Sequence, residues 1–249
     1  MFDKELFLSA TAAKRQCNKA VDATALLSMA YFAPVQWYQK LFRYSRVEIE
    51  SCENFVKQSY RNRCVIATAD GTQALTIPVE RGVLDAQGKC SVRDIRISDH
   101  GDWRRLHWNA IASAYGYSPF FEYYEDDIRP FFNEPYDSLL NYNLAITNKV
   151  CELLGVDRSV KVTTDYMPAY ENGAIFPEEN GENGVLEGHE RRPDVHDYRN
   201  AIRPKHPAED PLFEPRPYHQ VFAQRNGFTA NLSILDLLFN EGPESILWL

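Results

Sequence analysis

The residues best equipped for chemistry are a row of cations and a histidine that lie far apart in the chain. In Lys57-Gln-Ser-Tyr-Arg-Asn-Arg-Cys64, an extended backbone puts Lys57, Ser59, Arg61 and Arg63 on one face, because side chains alternate along a strand. Three cations along about 20 Å of strand repel one another unless an anion or carboxylates stand among them. Guanidinium forks also make bidentate contacts with phosphate and carboxylate oxygens. One reading is a pocket for a phosphorylated or carboxylated small molecule. The other is a solvated edge strand that uses Lys and Arg against aggregation, and the spacing alone does not choose between them.

His107 falls on a stretch of helical period, where Trp103, Leu106, His107, Ala110, Ile111 and Ala114 share a face. On that apolar face it reads either as a neutral core imidazole bonded at both nitrogens or as a general base for an amine or hydroxyl nucleophile. The second role needs a carboxylate to orient the ring, and Asp94, Asp99, Glu122 and Glu125 are near in sequence. The aromatic group Trp108, Tyr115, Tyr117, Phe120, Phe121, Tyr123 and Tyr124 divides similarly. The phenylalanines read as core, whereas Trp108 and Tyr115 fit either core or the face of a sugar or base. Glu125-Asp126-Asp127 reads as a solvated turn rather than a metal site, since helix neighbours point different ways. Cys64 has no identifiable activating neighbour, and Asn231 and Asp236 bracket the last helix.

Positioning these residues requires a scaffold, and its elements are legible in order. Ala25–Pro34 is an apolar strand that stops at proline, residues 36–45 are a short helix, and Arg46–Glu50 alternates as a second strand. That is the pattern of a β-α-β unit. Asp70-Gly71 between apolar, β-branched runs marks a hairpin. Residues 92–98 read as a strand, with Val92 on one parity and Ile95 and Ile97 on the other. Three helices follow, over 103–114, 120–132 (Ser118 as cap, Pro119 at the first position) and 137–154 (ended by Gly155). Val160–Thr164 is a further strand, and Ser233 caps a final helix through Phe239. Residues 171–218, with ENG, EENGENG and most of the prolines, read as a long irregular insertion. The expected class is α/β, with α+β as the variant: one domain, a mixed sheet and flanking helices, with residues 1–25 as an N-terminal extension to the domain 26–249.

Composition narrows the function. A formal charge of −8 excludes a general nucleic-acid binder, which needs a dominant basic stripe. No apolar run reaches the ~20 residues of a membrane span, and the N-terminus is a poor secretory signal. Five dispersed cysteines with no Cys-x-x-Cys point to reduced thiols and a cytoplasmic location. No histidine stands at zinc-ligand spacing, so no metal is expected, and no cofactor is indicated. The phosphate-loop, dinucleotide and common hydrolase motifs are absent from the sequence.

Four stretches in order, YFAPVQWYQKLF, ENFVKQSYRNRC, W-x3-HW-x2-I-x2-AY-x2-SPFFEYYED and GFTANLSILDLLFNEGP, resemble the WbqC-like family of bacterial proteins over about residues 26–242. That resemblance implies a place in O-antigen or other surface-polysaccharide assembly, and transfer of glycine or another small acyl group to a sugar amine. The family pattern keeps Lys57, Arg61, Asn62, Arg63, His107, Tyr115, Pro119, Phe121 and Asp236. It departs at Ser51-Cys52, where many members have an aspartate pair, and the acids here are displaced to Glu48, Glu50 and Glu53. The resulting expectation is a transferase with His107, Tyr115 and Glu122 as catalytic residues. Lys57, Arg61, Asn62, Arg63, Trp108 and Asp94 would bind the substrate, a nucleotide-sugar or acyl donor. The rival is a non-catalytic nucleotide-sugar-binding or docking protein.

Overall fold

The computed structural model describes residues 21–80, 82–156, 160–168 and 194–249. Most of the N-terminal extension, Cys17 and the ENG-rich part of the expected insertion lie outside them. The order begins β1 (Val21–Ser28), α1 (Val35–Arg43), β2 (Tyr44–Glu50), β3 (Arg63–Thr68), β4 (Gly71–Thr76), β5 (Val79–Glu80) and β6 (Arg96–Ile97). It continues with α2 (Trp103–Tyr115), α3 (Phe121–Ile128), α4 (Pro130–Asn133), α5 (Leu139–Leu153), β7 (Lys161–Val162), β8 (Val195–Asp197), α6 (Ala223–Asn226) and α7 (Ile234–Glu241).

The central sheet runs β7-β2-β1-β8 and every pairing in it is parallel. The two antiparallel pairs, β3-β4 and β5-β6, are separate sheets rather than edges of a mixed one. β1 is covered on both faces, and Ala25, Leu26 and Leu27 are fully buried, which is why its sequence is a continuous apolar run. It begins and ends earlier than the apolar run suggests. Residues 29–34 are just as buried, but they form a turn with Phe32 at φ 37° that leads into α1. Burial by packing and burial by strand pairing look alike in sequence.

Several elements follow their local signals. The β1-α1-β2 unit is a parallel β-α-β. The hairpin loop is the two residues Ala69-Asp70, with Thr68 facing Gly71, and Gly71 takes φ 119°, open to glycine and costly for other residues. Ser233 Oγ accepts the Leu235 N–H at the head of α7, as expected of a cap. Ser118 does not cap α3. The first turn has no side-chain cap, and the helix bends after Ile128 into α4 at Pro130. The 92–98 strand is reduced to β6, preceded by a 3-10 turn over Val92–Asp94.

The second half of the expected insertion is anchored at two places, although much of it between them is exposed. Val195–Asp197 joins the central sheet beside β1, and the chain around residue 210 lies against the polar face of α1. That face carries Gln36, Gln39, Lys40 and Arg43 at helical spacing. Lys40 is wholly buried, its Nζ 2.7 Å from Asp210 Oδ2 and 4.6 Å from the Tyr198 ring centre. Burial pulls its pKa down and Asp210 holds it up. Lys40→Ala strands a buried carboxylate, for an expected loss of about 3 kcal/mol in urea unfolding. Lys40→Met with Asp210→Leu removes both charges and recovers most of that loss.

Candidate functional site

In open parallel sheets, ligands bind outside the carboxyl ends of the strands, where the strand order switches direction. Here β1 leads through α1 to β2 on one side and has β8 on the other, so the switch lies at Ser28. The strand ends deliver polar side chains to that edge: Ser28 from β1, Glu50 from β2, Asp197 from β8, and Thr163 just past β7. Two arginines fill the space between them. Arg61 comes from a 3-10 turn, Tyr60–Asn62, and its Nη2 lies 2.6 Å from Glu53 Oε2 while donating to Ser28 Oγ at 2.9 Å. Arg199 donates to both Asp197 oxygens, Nη2 to Oδ2 at 2.6 Å and Nε to Oδ1 at 2.9 Å, and to the Met167 and Pro168 carbonyls.

Glu50 is fully buried and accepts the Cys52 N–H at 2.7 Å, the Thr163 hydroxyl at 2.8 Å and the Met167 N–H at 2.8 Å, with Arg199 Nη1 3.6 Å away. Burial opposes the charge on Arg199, and Asp197, Glu53 and Glu50 more than restore it. Two guanidiniums thus face three carboxylates. A narrow cleft of about 10 Å³, room for a single water, is lined by both arginines together with Ser28, Ala30, Tyr60 and Tyr198, and the three carboxylates stand behind the guanidiniums rather than in its wall.

His107 is elsewhere. It packs edge-on to Trp103 at 5.1 Å, and its Nδ1 lies 3.0 Å from the Tyr31 hydroxyl, on a ring stacked against Tyr142. Only 6% of it is exposed. Burial lowers its pKa to about 4, against a weaker opposing bond to the Thr76 backbone. A ring that donates to Thr76 from one nitrogen takes the Tyr31 hydroxyl proton at the other, so the neutral imidazole is satisfied at both. The expected carboxylate partners serve other groups or face solvent: Asp99 pairs with Arg104 and Glu125 with Arg129, while Asp94 and Glu122 are exposed. Tyr115 is also interior, its hydroxyl accepting the Ala67 N–H at 3.0 Å and its ring 5.4 Å from Phe239.

The sequence profile of the WbqC-like protein family matches residues 30–247. The chain belongs to the WbqC-like protein family. It is 25% identical over 205 residues to the uncharacterized protein Rv1507c of Mycobacterium tuberculosis, covering 77% of this chain and 81% of that one. No solved structure matches it.

Against this WbqC-like frame, the residues singled out from sequence separate into three places. Of the candidate catalytic and substrate-binding residues Arg61 alone reaches the sheet edge, where two of the displaced acids also stand, Glu53 on Arg61 and Glu50 beside Arg199. Residues 57–62 are turn and 3-10 helix, with Gln58 at φ 57°, so the period-two argument fails there. Lys57 is exposed, Arg63 bonds the Thr76 hydroxyl on the hairpin, and Asn62 is buried with Nδ2 on the Ile77 carbonyl. His107, Tyr115 and Asp236 are interior. Trp108 lines a groove beside α2. Burial raises the Cys64 thiol far above its ordinary range, which fits its place in the core. Among the described residues no helix is long and apolar enough to cross a membrane.

Glu50 and Glu53 stand out in sequence only as acids displaced from the family's aspartate pair, and Asp197 and Arg199 are edge residues that neither cation spacing nor base-carboxylate proximity reveals. The available signal was the polar residue at the end of each strand.

Two buried groups set the pH response. Asp236, beside Tyr218 (2.7 Å) and Gln220 (2.9 Å), is raised by burial to about 6, while the Tyr218 and Tyr115 hydroxyls resist. The folded state therefore holds a proton on Asp236 that the unfolded chain has released, and stability from this group is lost as pH rises from about 4 through 6. His107 acts in the opposite sense. Its folded pKa lies below its unfolded one, so stability falls as pH drops from about 6.5 toward 4, by about 3 kcal/mol in full. Unfolding midpoints followed from pH 4 to 7 should show His107→Gln gaining relative stability at the acid end and Asp236→Asn gaining it at the neutral end.

Proposed function

We propose that this WbqC-like protein is a transferase of surface-polysaccharide or glycoconjugate assembly that seats a small amino-acid or acyl group at the carboxyl edge of its sheet. One observation carries the reading: two buried arginines and three buried carboxylates converge on the switch point of a parallel sheet, beside a cleft. The family's frequent link to polysaccharide gene clusters agrees with it.

The charge count shapes the substrate. With carboxylates in excess, a diphosphate meets net repulsion at this edge. A zwitterion such as glycine offers an ammonium to the carboxylates and a carboxylate to the guanidiniums, and a cleft with room for one water admits it only as the ion pairs open. The work assigned to Arg61 and Arg199 is positioning, which fixes the reacting carbonyl relative to the incoming amine. His107 and Tyr31 lie outside the lining of the cleft, so neither is assigned the base. The second reading, a non-catalytic nucleotide-sugar-binding or docking protein, draws on the same tight pairing: every guanidinium at the edge already has a partner, so a nucleotide-sugar would have to bind elsewhere, as in the arginine-lined groove beside α2.

Thermal unfolding with glycine, other amino acids, acyl-CoAs and nucleotide-sugars separates the two. A ligand at 100 times its dissociation constant stabilises by about 2.7 kcal/mol. Glycine or an acyl donor should give that shift, and with an acyl-CoA as donor mass spectrometry should detect the acyl group on the nitrogen of an amino sugar, as the thioester bond breaks and free CoA thiol is released. Arg61→Met with Glu53→Leu removes the ion pair as a unit and should keep the fold while lowering transfer by about 100-fold. A stabilising shift from nucleotide-sugars alone, without product, supports the binding-protein reading. Full transfer by the double variant removes the edge from consideration.

A further inference from the structure

A second cavity lies away from the sheet edge. It is a groove of about 500 Å³ at the N-terminal end of α2, within the range of small-molecule sites. Trp103, Trp108 and Phe132 supply its apolar surface, and Asn109 and Asn133, both exposed, supply side-chain amides. Arg104, Arg105 and Arg129 supply guanidiniums and Asp99 and Asp102 carboxylates, while the third carboxylate, Glu125, reaches Arg129 from outside the lining.

We infer that this groove binds an acidic saccharide, a sugar ring bearing one carboxylate or phosphate group. The aromatic and amide composition suits a ring with hydroxyls, whose C–H face packs on indole while its oxygens pair with amides and carboxylates. The arginines suit the anionic group. Arg129 lies 5.7 Å over the Trp108 ring and is half exposed, held by Glu125 only at 3.4 Å, so its fork is available to an anion beside the indole. Arg104 is less free: it stacks on Trp103 at 4.7 Å and pairs with Asp99, yet its buried Nε has no partner among the described residues. Arg105 pairs with Asp102 at 2.5 Å, with both side chains largely exposed.

Trp108 is braced from behind by Phe121 at 6.0 Å and Phe132 at 5.6 Å, which fixes the ring without help from a ligand. The groove is also separate from the edge cleft, because Trp103, His107 and Tyr31 stand in contact between them, and Tyr31 is joined to Tyr60 of the cleft through its backbone N–H. The inference is therefore independent of the transfer reading, and the groove keeps its ligand even if the edge carries out no transfer.

The test is titration calorimetry of the full chain with methyl glucuronide, glucose 1-phosphate, glucose and inorganic phosphate, with indole fluorescence as a second readout. At least one acidic sugar should bind about tenfold more tightly than glucose and than inorganic phosphate, as loss of one charge-assisted contact implies. Arg129→Gln and Arg105→Gln alter exposed side chains, so both should fold normally and weaken that binding by about tenfold. Binding should also fall with added salt. A preference for the glucuronide assigns a carboxylate ligand, a preference for the sugar phosphate assigns a phosphate, and either supports the site. Three results overturn it: no binding of either acidic sugar, equal binding of glucose or inorganic phosphate, or unchanged affinity in both variants.

Discussion

The architecture depends on burying five charges at one edge of a parallel sheet. Taking a guanidinium or carboxylate out of water costs several kcal/mol per ion, and that cost is offset only where geometry is good and the remaining hydrogen-bonding positions are filled. Both conditions hold here. Arg199 meets Asp197 through two nitrogens and gives its other donors to the Met167 and Pro168 carbonyls, and Glu50 takes three donors besides Arg199. The same set ties together segments with little else in common: the ends of β1, β2 and β8, the 60–62 turn and the chain after β7. Loss of one member leaves its partner charged and buried, so the edge responds as a unit.

The aromatic wall gives this edge a rigid back. Tyr31 stacks on Tyr142, His107 joins Tyr31 to Trp103, and Trp103 also packs edge-on to Tyr142 at 6.1 Å. A protonated imidazole in that position would carry charge with no carboxylate beside it, which is why burial holds it neutral. The histidine that most invites a catalytic role is instead a packed link between Tyr31 and Trp103.

Sequence patterns made the scaffold legible and the site much less so. The β-α-β unit, the Asp70-Gly71 hairpin, the helix beginning at Trp103 and the Ser233 cap each rest on a local signal, because hydrogen bonds within a helix or tight turn are formed by near neighbours. The apolar face carrying His107 was also readable, and burial was one of the two roles it allowed. The failures share a cause. Alternation along 57–63 presumes a strand, and a left-handed residue at Gln58 followed by a 3-10 turn destroys the period, sending Arg61 inward and Lys57 to solvent. Arg199 and Glu50 meet across most of the chain, and Asp197 arrives on a three-residue strand inside a proline-rich stretch that has no periodicity of its own. Pairings of that kind are set by tertiary register, and no window of sequence contains both partners.

A closed edge constrains how any substrate enters. Arg61 already holds Glu53 and Ser28, so an incoming carboxylate gains a guanidinium contact only as Glu53 loses one, and the exchange of one carboxylate for another is close to balanced. Affinity at such a site is modest, and discrimination comes from what the exchange leaves behind. A substrate with an ammonium occupies the released Glu53 oxygens, whereas a plain acid leaves them buried and unpaired, at a cost of about 1–3 kcal/mol or more. Under the proposed function, this tight pairing would select a zwitterion over a simple anion. It also explains why carboxylates outnumber guanidiniums at an edge whose proposed task includes holding an acid group.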